Sequence, residues 1–141
     1  MPVIPGSERY SVPATLRTVT VLTIALSATA FTQDIQKGEA SFNNKCLTCH
    51  AIGVSAGNKI GPPLNGLDGR KAGTTTNFNY SAAMKNSDIV WNEVTFREFI
   101  ADPKAKIPGT KMLVSGIKSD QEISDLWAYV EQFNADGNVK K

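Results

Sequence analysis

The chain has 141 residues, with 15 lysines and arginines against 13 aspartates and glutamates and a formal net charge of +2 at pH 7. So balanced a charge argues against a nucleic-acid-binding protein, and the length suits one small domain with a modest core. The two cysteines and single histidine are too few for a four-ligand zinc site.

The N-terminal segment has the features of an export signal. Two arginines precede an uncharged run of apolar and small residues, 19–30, that ends in an Ala-Thr-Ala cleavage site. We therefore predict a secretory signal peptide over residues 1–30, a mature domain over residues 31–141, and a periplasmic location. The alternative is an uncleaved membrane anchor, although the run is shorter than the roughly 20 residues that span a bilayer.

The next predicted element is a helix that begins at an Asp34 N-cap and continues to about Lys45. Gly38 and Phe42 lie on one face of this helix. Because glycine inside a helix costs about 1 kcal/mol relative to alanine, its presence here predicts close approach by another helix.

The run Cys46-Leu47-Thr48-Cys49-His50 follows this helix and contains every cysteine and histidine in the chain. Cys-x-x-Cys-His is the attachment signature of c-type haem, in which two thiols add to the porphyrin vinyl groups and the imidazole binds the iron. Two alternatives stay open at this point. A redox dithiol is typical of a βαβ setting and needs no histidine. The second alternative is another metal site or no bound group at all.

The remaining chain is predicted to contain long loops and three helical stretches. Residues 51–80 are rich in glycine, proline, asparagine and threonine, and so long a loop is reasonable if it wraps a cofactor. Helical turns are predicted at 81–86, and a helix capped by Asn92 is stopped by Pro103. The last helix has a capping box, and its apolar face contains Ile123, Leu126, Trp127, Val130 and Phe133.

The capping box of this last helix is the pair Ser119 and Glu122. No alternating strand pattern appears in the sequence. The predicted class is therefore all-α with large loops.

A haem iron held by His50 needs a second ligand, and the chain has no other histidine. Met112 lies in a turn stiffened by Pro108 and Gly109, which can present its sulfur at a fixed geometry, and it is our preferred ligand. Met84 is expected to fill the core, and either Met84 or an open site is the alternative. A thioether ligand favours ferrous iron, and a fully ligated iron favours electron transfer over catalysis.

From about Gln36 to Asn134 the chain resembles the class I c-type cytochromes, which include mitochondrial cytochrome c and bacterial cytochrome c2. Beyond the attachment run, the resemblance rests on Gly-Pro-Pro-Leu-Asn-Gly-Leu at 61–67, Gly-Arg at 69–70, Trp91, and Ile-Pro-Gly-Thr-Lys-Met at 107–112. It implies the cytochrome c fold, in which the N- and C-terminal helices cross while short helices and long loops enclose one covalent haem c.

The resemblance also implies roles for residues around the haem. Pro62 would accept a hydrogen bond from His50 and so fix the imidazole orientation. Arg70, Tyr80 and Trp91 would surround the haem propionates and supply a charge and hydrogen bonds. Plain core packing is the alternative for the two aromatic residues.

Four positions depart from the family pattern. Phe99, in the haem environment, replaces a tyrosine whose hydroxyl approaches the methionine sulfur, so we expect an altered reduction potential and an altered hold on Met112. Val114 replaces a phenylalanine that covers the haem edge. Met84 replaces an asparagine near a propionate, and Asp68 replaces an apolar residue.

Five lysines match positions that the family uses to dock acidic partners around the exposed haem edge: Lys45, Lys59, Lys104, Lys111 and Lys118. Because the net charge is small, any steering of a partner must come from this local patch. The alternative is a set of scattered, solvated lysines.

These features together predict a soluble, monomeric periplasmic carrier of one electron, not an enzyme. It would shuttle between a membrane reductase, such as a cytochrome bc complex, and an oxidase or photosynthetic reaction centre, with no nucleic-acid partner. The alternative is a haem ligand-binding sensor or weak peroxidase with a labile sixth ligand.

Overall fold

The computed structural model describes Pro2, Gly6 and residues 32–141. The described part of the chain folds into five helices: α1 (Ile35–Lys45), α2 (Ala82–Lys85), α3 (Glu93–Ala101), α4 (Pro103–Lys106) and α5 (Asp120–Glu131). Extended pairing within it is limited to isolated bridges between Lys71 and Val90 and between Phe133 and Val139. The predicted all-α class is confirmed.

The predicted signal peptide lies outside the described residues, apart from Pro2 and Gly6. Within the described residues, none of the helices has the length and apolarity needed to cross a membrane. The boundary between signal and mature domain therefore stays a prediction.

The first and last helices cross at Gly38. A Cβ atom on this glycine would lie 2.0 Å from the backbone oxygen of Asp125 and 2.8 Å from Cβ of Tyr129. One turn further along α1, the ring of Phe42 lies 5.5 Å from that of Tyr129. The close approach that glycine predicted is thus made by α5.

Local capping begins α1 and α3 where the sequence predicted. The carboxylate of Asp34 accepts hydrogen bonds from the backbone N–H groups of Gln36 and Lys37. Asn92 caps α3 and forms a reciprocal capping box with Thr95. The helix ends at Ala101, and Pro103 then begins α4, where its missing N–H costs nothing.

Two predictions about the last helix are wrong in part. Ser119 Oγ does accept a hydrogen bond from Glu122 N at 3.2 Å, but the Glu122 carboxylate does not close the capping box. It accepts hydrogen bonds from Ser41 Oγ and Lys45 Nζ, both at 2.7 Å. Phe133 lies beyond the end of the helix, in a bridge with Val139.

The predicted loop over residues 51–80 contains no helix. Hydrogen bonds fasten it to the rest of the fold: Leu64 N donates to Ala51 O, Gly66 N to Phe133 O, and Trp91 N to Arg70 O. The loop therefore folds over the segment that follows α1 and reaches the end of α5.

Candidate functional site

The Cys-x-x-Cys-His run forms a tight turn at the end of α1. The backbone N–H groups of Cys49 and His50 donate to Cys46 O at 3.0 and 2.8 Å. Both cysteines are free thiols; Cys46 is buried and Cys49 half-buried. Burial raises the pKa of Cys46 to about 11, so the free thiol is protonated at neutral pH.

The ring of His50 is oriented by the loop that passes beside it. His50 Nδ1 lies 2.7 Å from Pro62 O, and because a carbonyl only accepts, the ring must donate through Nδ1–H. Burial lowers the pKa of His50. Burial therefore favours the neutral ring, in which Nε2 carries the remaining lone pair, as a metal-binding imidazole requires.

Glycine at position 61 lets the loop approach this ring. A Cβ atom there would lie 2.3 Å from Cε1 of His50, so any side chain would push the loop or the ring aside. Gly61 N also donates to Cys49 O at 2.7 Å. Together with the bond from Leu64 N to Ala51 O, this hydrogen bond joins the loop to the residues directly before and directly after His50.

Arg70 is half-buried and hydrogen-bonded to carbonyls of the same loop. Its Nη1 donates to Asn65 O at 2.9 Å, and both Nη atoms lie 3.2 Å from Pro63 O. Burial lowers the pKa of Arg70, and nearby Tyr80 raises it. Tyr80 is near enough to act on the charge of Arg70, and the backbone N–H of Trp91 donates to Arg70 O at 2.9 Å.

Phe99 lies against Trp91 in the core. Their ring centroids are 5.3 Å apart with an interplanar angle of 63°, and both side chains are buried. The pair is an edge-to-face contact of two aromatic rings, with no hydroxyl at position 99 to hydrogen-bond.

The methionine segment is held by a turn at Ile107–Thr110. Thr110 N donates to Ile107 O at 3.0 Å, Gly109 has φ +89°, and Thr110 Oγ1 accepts a hydrogen bond from Met112 N at 3.2 Å. Met112 is partly buried against the core. Met84 is buried in α2, so the two methionines occupy different settings.

The five predicted docking lysines are exposed, and four of them donate hydrogen bonds to the chain itself. Lys45 pairs with Glu122 at 2.7 Å, Lys111 donates to Asn79 O at 3.1 Å and Lys118 to Ala101 O at 2.6 Å. Lys59 donates to Leu47 O. Lys104 has no such partner among the described residues.

Asn65 belongs to the 61–67 motif, but the sequence predicted no role for it, and in the structure it is central to the loop. Asn65 is buried, and its side chain accepts from Gly53 N and donates to Gly53 O, both at 2.8 Å. Its backbone oxygen meanwhile accepts from Arg70. The local signal in the sequence is the pair Asn65-Gly66, which is typical of turns.

The donor set fits a covalently attached porphyrin. Two free thiols stand one helical turn apart in the chain, a neutral imidazole is aligned by Pro62, and a thioether lies in a separate, glycine-shaped turn. These are the groups that c-type haem requires.

Comparison with known proteins agrees with this donor set. The family described as Cytochrome c matches residues 35–134. The chain is 61% identical over 104 residues to cytochrome c-550 of Bradyrhizobium diazoefficiens, which covers 74% of this chain and 76% of that protein. It is 58% identical over 108 residues to cytochrome c2 of Rhodoplanes tepidamans, covering 77% and 100% respectively.

A solved structure shows the same likeness in three dimensions. Cytochrome cH from Methylobacterium extorquens superposes with a TM-score of 0.64 at 37% identity, covering 69% of this chain and 96% of that one. The shared region includes the greater part of residues 32–141.

Proposed function

The chain belongs to the cytochrome c family, whose cofactor is covalently bound haem c, and we propose that it is a soluble periplasmic carrier of single electrons. The family and its cofactor agree with the prediction from the attachment run. The haem supplies a one-electron couple between ferric and ferrous iron. As a carrier, the protein would transform no substrate.

We propose that Cys46 and Cys49 form the thioethers and that His50 and Met112 are the axial ligands. The observation that carries the assignment of His50 is the 2.7 Å contact between His50 Nδ1 and Pro62 O. It fixes both the tautomer and the plane of the ring, so that Nε2 is the atom offered to iron. His50 and Met112 would together leave no open position on the iron, which would favour electron transfer over ligand chemistry.

The surrounding residues would supply charge and exclude water. Arg70 carries a guanidinium that is half-buried beside Tyr80, and a buried cation is stabilised by an anionic neighbour. Haem propionates would provide that anion, with Tyr80 and Trp91 beside them. Phe99 would add apolar contact on the same side, since it packs against Trp91.

Absorption spectra of the purified holoprotein test the ligand assignment. The oxidised protein should show the weak sulfur-to-iron band at the red end of the spectrum. Met112→Ala should abolish this band, whereas the control Met84→Leu, which changes the other mature-domain methionine, should keep it. A high-spin spectrum in the parent protein that shifts readily with cyanide or carbon monoxide would favour a sensor or peroxidase instead.

Export and partners need separate tests. Mass spectrometry of the denatured mature protein should give a chain that begins near residue 31 with one haem attached; a retained N-terminus would support a membrane anchor. We propose that the monomer exchanges electrons with membrane redox complexes, a reductase on one side and an oxidase or reaction centre on the other. The names of the relatives, cytochrome c2 and cytochrome c-550, support such a carrier without naming its partners.

A further inference from the structure

The C-terminal residues beyond the family match form a turn that packs on the loop over residues 51–80, which follows His50. The match ends at residue 134, but the chain then reverses direction. Asn134 N donates to Asn138 O at 2.8 Å, and Lys140 N donates to Gln132 O at 2.7 Å. We call residues 133–140 the C-terminal turn.

The contact between this turn and the loop is too close for a side chain. Gly137 is buried, and a Cβ atom on it would lie 2.1 Å from Gly53 O and 2.6 Å from Val54 N. A second contact lies beside it: a Cβ on Gly66 would be 2.9 Å from Cα of Ala135. The C-terminal turn therefore touches the loop backbone at two glycines.

The two loop glycines, Gly53 and Gly66, both lie next to Asn65 in the fold. Asn65 precedes Gly66 in the chain, and its side chain holds both backbone groups of Gly53 at 2.8 Å. Gly66 N donates to Phe133 O at 3.0 Å, which fastens the same point to the end of α5. The C-terminal turn thus closes over the pair Gly53–Asn65 from outside.

The loop carries this constraint to His50 over a short path. Leu64, next to Asn65, donates through its N–H to Ala51 O at 2.9 Å, directly after the histidine. Two residues before Leu64 lies Pro62, whose oxygen accepts the hydrogen bond from His50 Nδ1. The neighbours of Pro62 are also held by hydrogen bonds from Gly61 N to Cys49 O and from Arg70 to Pro63 O. Loosening at Gly53 and Gly66 therefore removes one of three constraints on the Pro62 carbonyl.

We propose that the C-terminal turn, through Gly137, is a positioning element that holds the loop at Gly53 and Asn65 and so maintains the hydrogen bond between His50 and Pro62. The inference rests on the proposed role of His50 as an iron ligand. A strong Pro62 hydrogen bond makes the imidazole a better donor to ferric iron. Loosening it is therefore expected to raise the reduction potential.

The test compares two glycine-to-alanine variants of the full-length holoprotein. Gly137→Ala strains a residue at φ +84° and also inserts a methyl group into the loop backbone. The matched control Gly69→Ala strains a residue at φ +77° with nothing within 4 Å of its Cβ position. The two variants share the backbone strain and differ in the contact.

Two readouts report on the histidine itself. Exchange of the His50 Nδ1 proton, followed by NMR in the ferrous protein, should be about tenfold faster in Gly137→Ala and near the parent value in Gly69→Ala. The reduction potential should rise in the first variant alone. A chain ending at Asn134 should show the same two changes, and it serves if Gly137→Ala fails to assemble.

Unchanged proton exchange and potential in the shortened chain would overturn the proposal, as would equal changes in Gly69→Ala. A double variant, Gly137→Ala with Asn65→Ala, should be less than additive, because both substitutions act through Gly53. Full additivity would also count against the proposed path. Failure of the ligand assignment would be visible separately, in the spectrum of the parent protein.

Discussion

Gly38 on α1 and Asp125 on α5 stand so close that a Cβ on the glycine would lie 2.0 Å from the Asp125 carbonyl oxygen. Gly38→Ala should therefore lower the free energy of unfolding, by about 1–3 kcal/mol, because the helices must move apart. Alanine's better helix propensity works in the opposite direction, by about 1 kcal/mol. Urea unfolding of the holoprotein measures the net effect.

The exposed neighbour Ala40 provides the matched control. Ala40→Gly changes the helix propensity at an exposed position of the same helix, and it should cost about 1 kcal/mol. If Gly38→Ala were more stable than the parent protein, the tight crossing would not exist in solution.

A second prediction concerns Asp125, which is 3% exposed. Its Oδ1 accepts hydrogen bonds from Asp34 N at 2.9 Å and Gln121 Nε2 at 2.8 Å. Asp125→Ala removes the acceptor and leaves the partly buried Asp34 N–H without it, at a cost of about 1–3 kcal/mol. Asp125→Asn keeps an oxygen acceptor and should recover most of that loss in denaturant unfolding; equal loss in both variants would assign the effect to charge.

Stability should also depend on pH through Glu122. Hydrogen bonds from Lys45 and then Ser41 lower the pKa of Glu122. A carboxylate with a lowered folded-state pKa stabilises the protein above its unfolded-state pKa, and this contribution disappears as the pH falls through the folded value. The stability difference between the parent and Glu122→Gln should therefore be largest at neutral pH and shrink as the pH falls through the folded-state pKa of Glu122, which lies below the ordinary value of 4.5.

Denaturant unfolding at several pH values gives that difference directly. Glu39→Gln, at an exposed position on α1, is the control for general charge effects. A difference between parent and Glu122→Gln that stays constant with pH would show that the carboxylate makes no protonation-dependent contribution.

How far the sequence predicts the fold depends on the range of the interactions. Asp34 and Asn92 were identifiable as caps because each bonds to backbone within three residues. The capping box at Glu122 failed because its carboxylate found a partner 81 residues away, Ser41. A helical spacing of apolar residues likewise ran on to Phe133, past the true end of α5.

The candidate site divides in the same way. Cys46, Cys49 and His50 stand out because the attachment signature is continuous in sequence. The Asn65 side chain and Gly137 do not, because their contacts with Gly53 join segments that only the folded chain brings together. No local pattern distinguishes such a glycine from one in an ordinary turn.

Phe99 leads to a prediction about the iron ligand. Phe99→Tyr would place a hydroxyl in a buried aromatic environment beside Trp91. Donation to the Met112 sulfur would withdraw electron density from the ligand, raise the reduction potential and lower the pH at which Met112 leaves ferric iron. Redox titration and a pH titration of the sulfur-to-iron band measure both effects.

The control for this substitution is Phe96→Tyr. Phe96 is equally buried but packs against Trp127, at a ring distance of 5.2 Å. It should lose stability through its buried hydroxyl while its potential stays near that of the parent. The same potential and ligand-displacement pH in Phe99→Tyr as in the parent would show that the position does not influence Met112.

The last prediction concerns partner docking by the exposed lysines. Four of the lysines already donate hydrogen bonds to oxygen atoms of the chain itself: Lys45, Lys59, Lys111 and Lys118. Lys104 has no such partner among the described residues. Lys104→Gln should therefore slow electron transfer with a small acidic redox protein about two- to fivefold at low salt, with the difference fading as ionic strength rises.

Lys37→Gln is the control, because Lys37 lies in the first turn of α1 and pairs with Asp34 at 3.5 Å. Stopped-flow rates across a salt series compare the three proteins. Equal slowing by both substitutions would indicate a response to net charge instead of a docking patch, and rates independent of salt would remove electrostatic steering altogether.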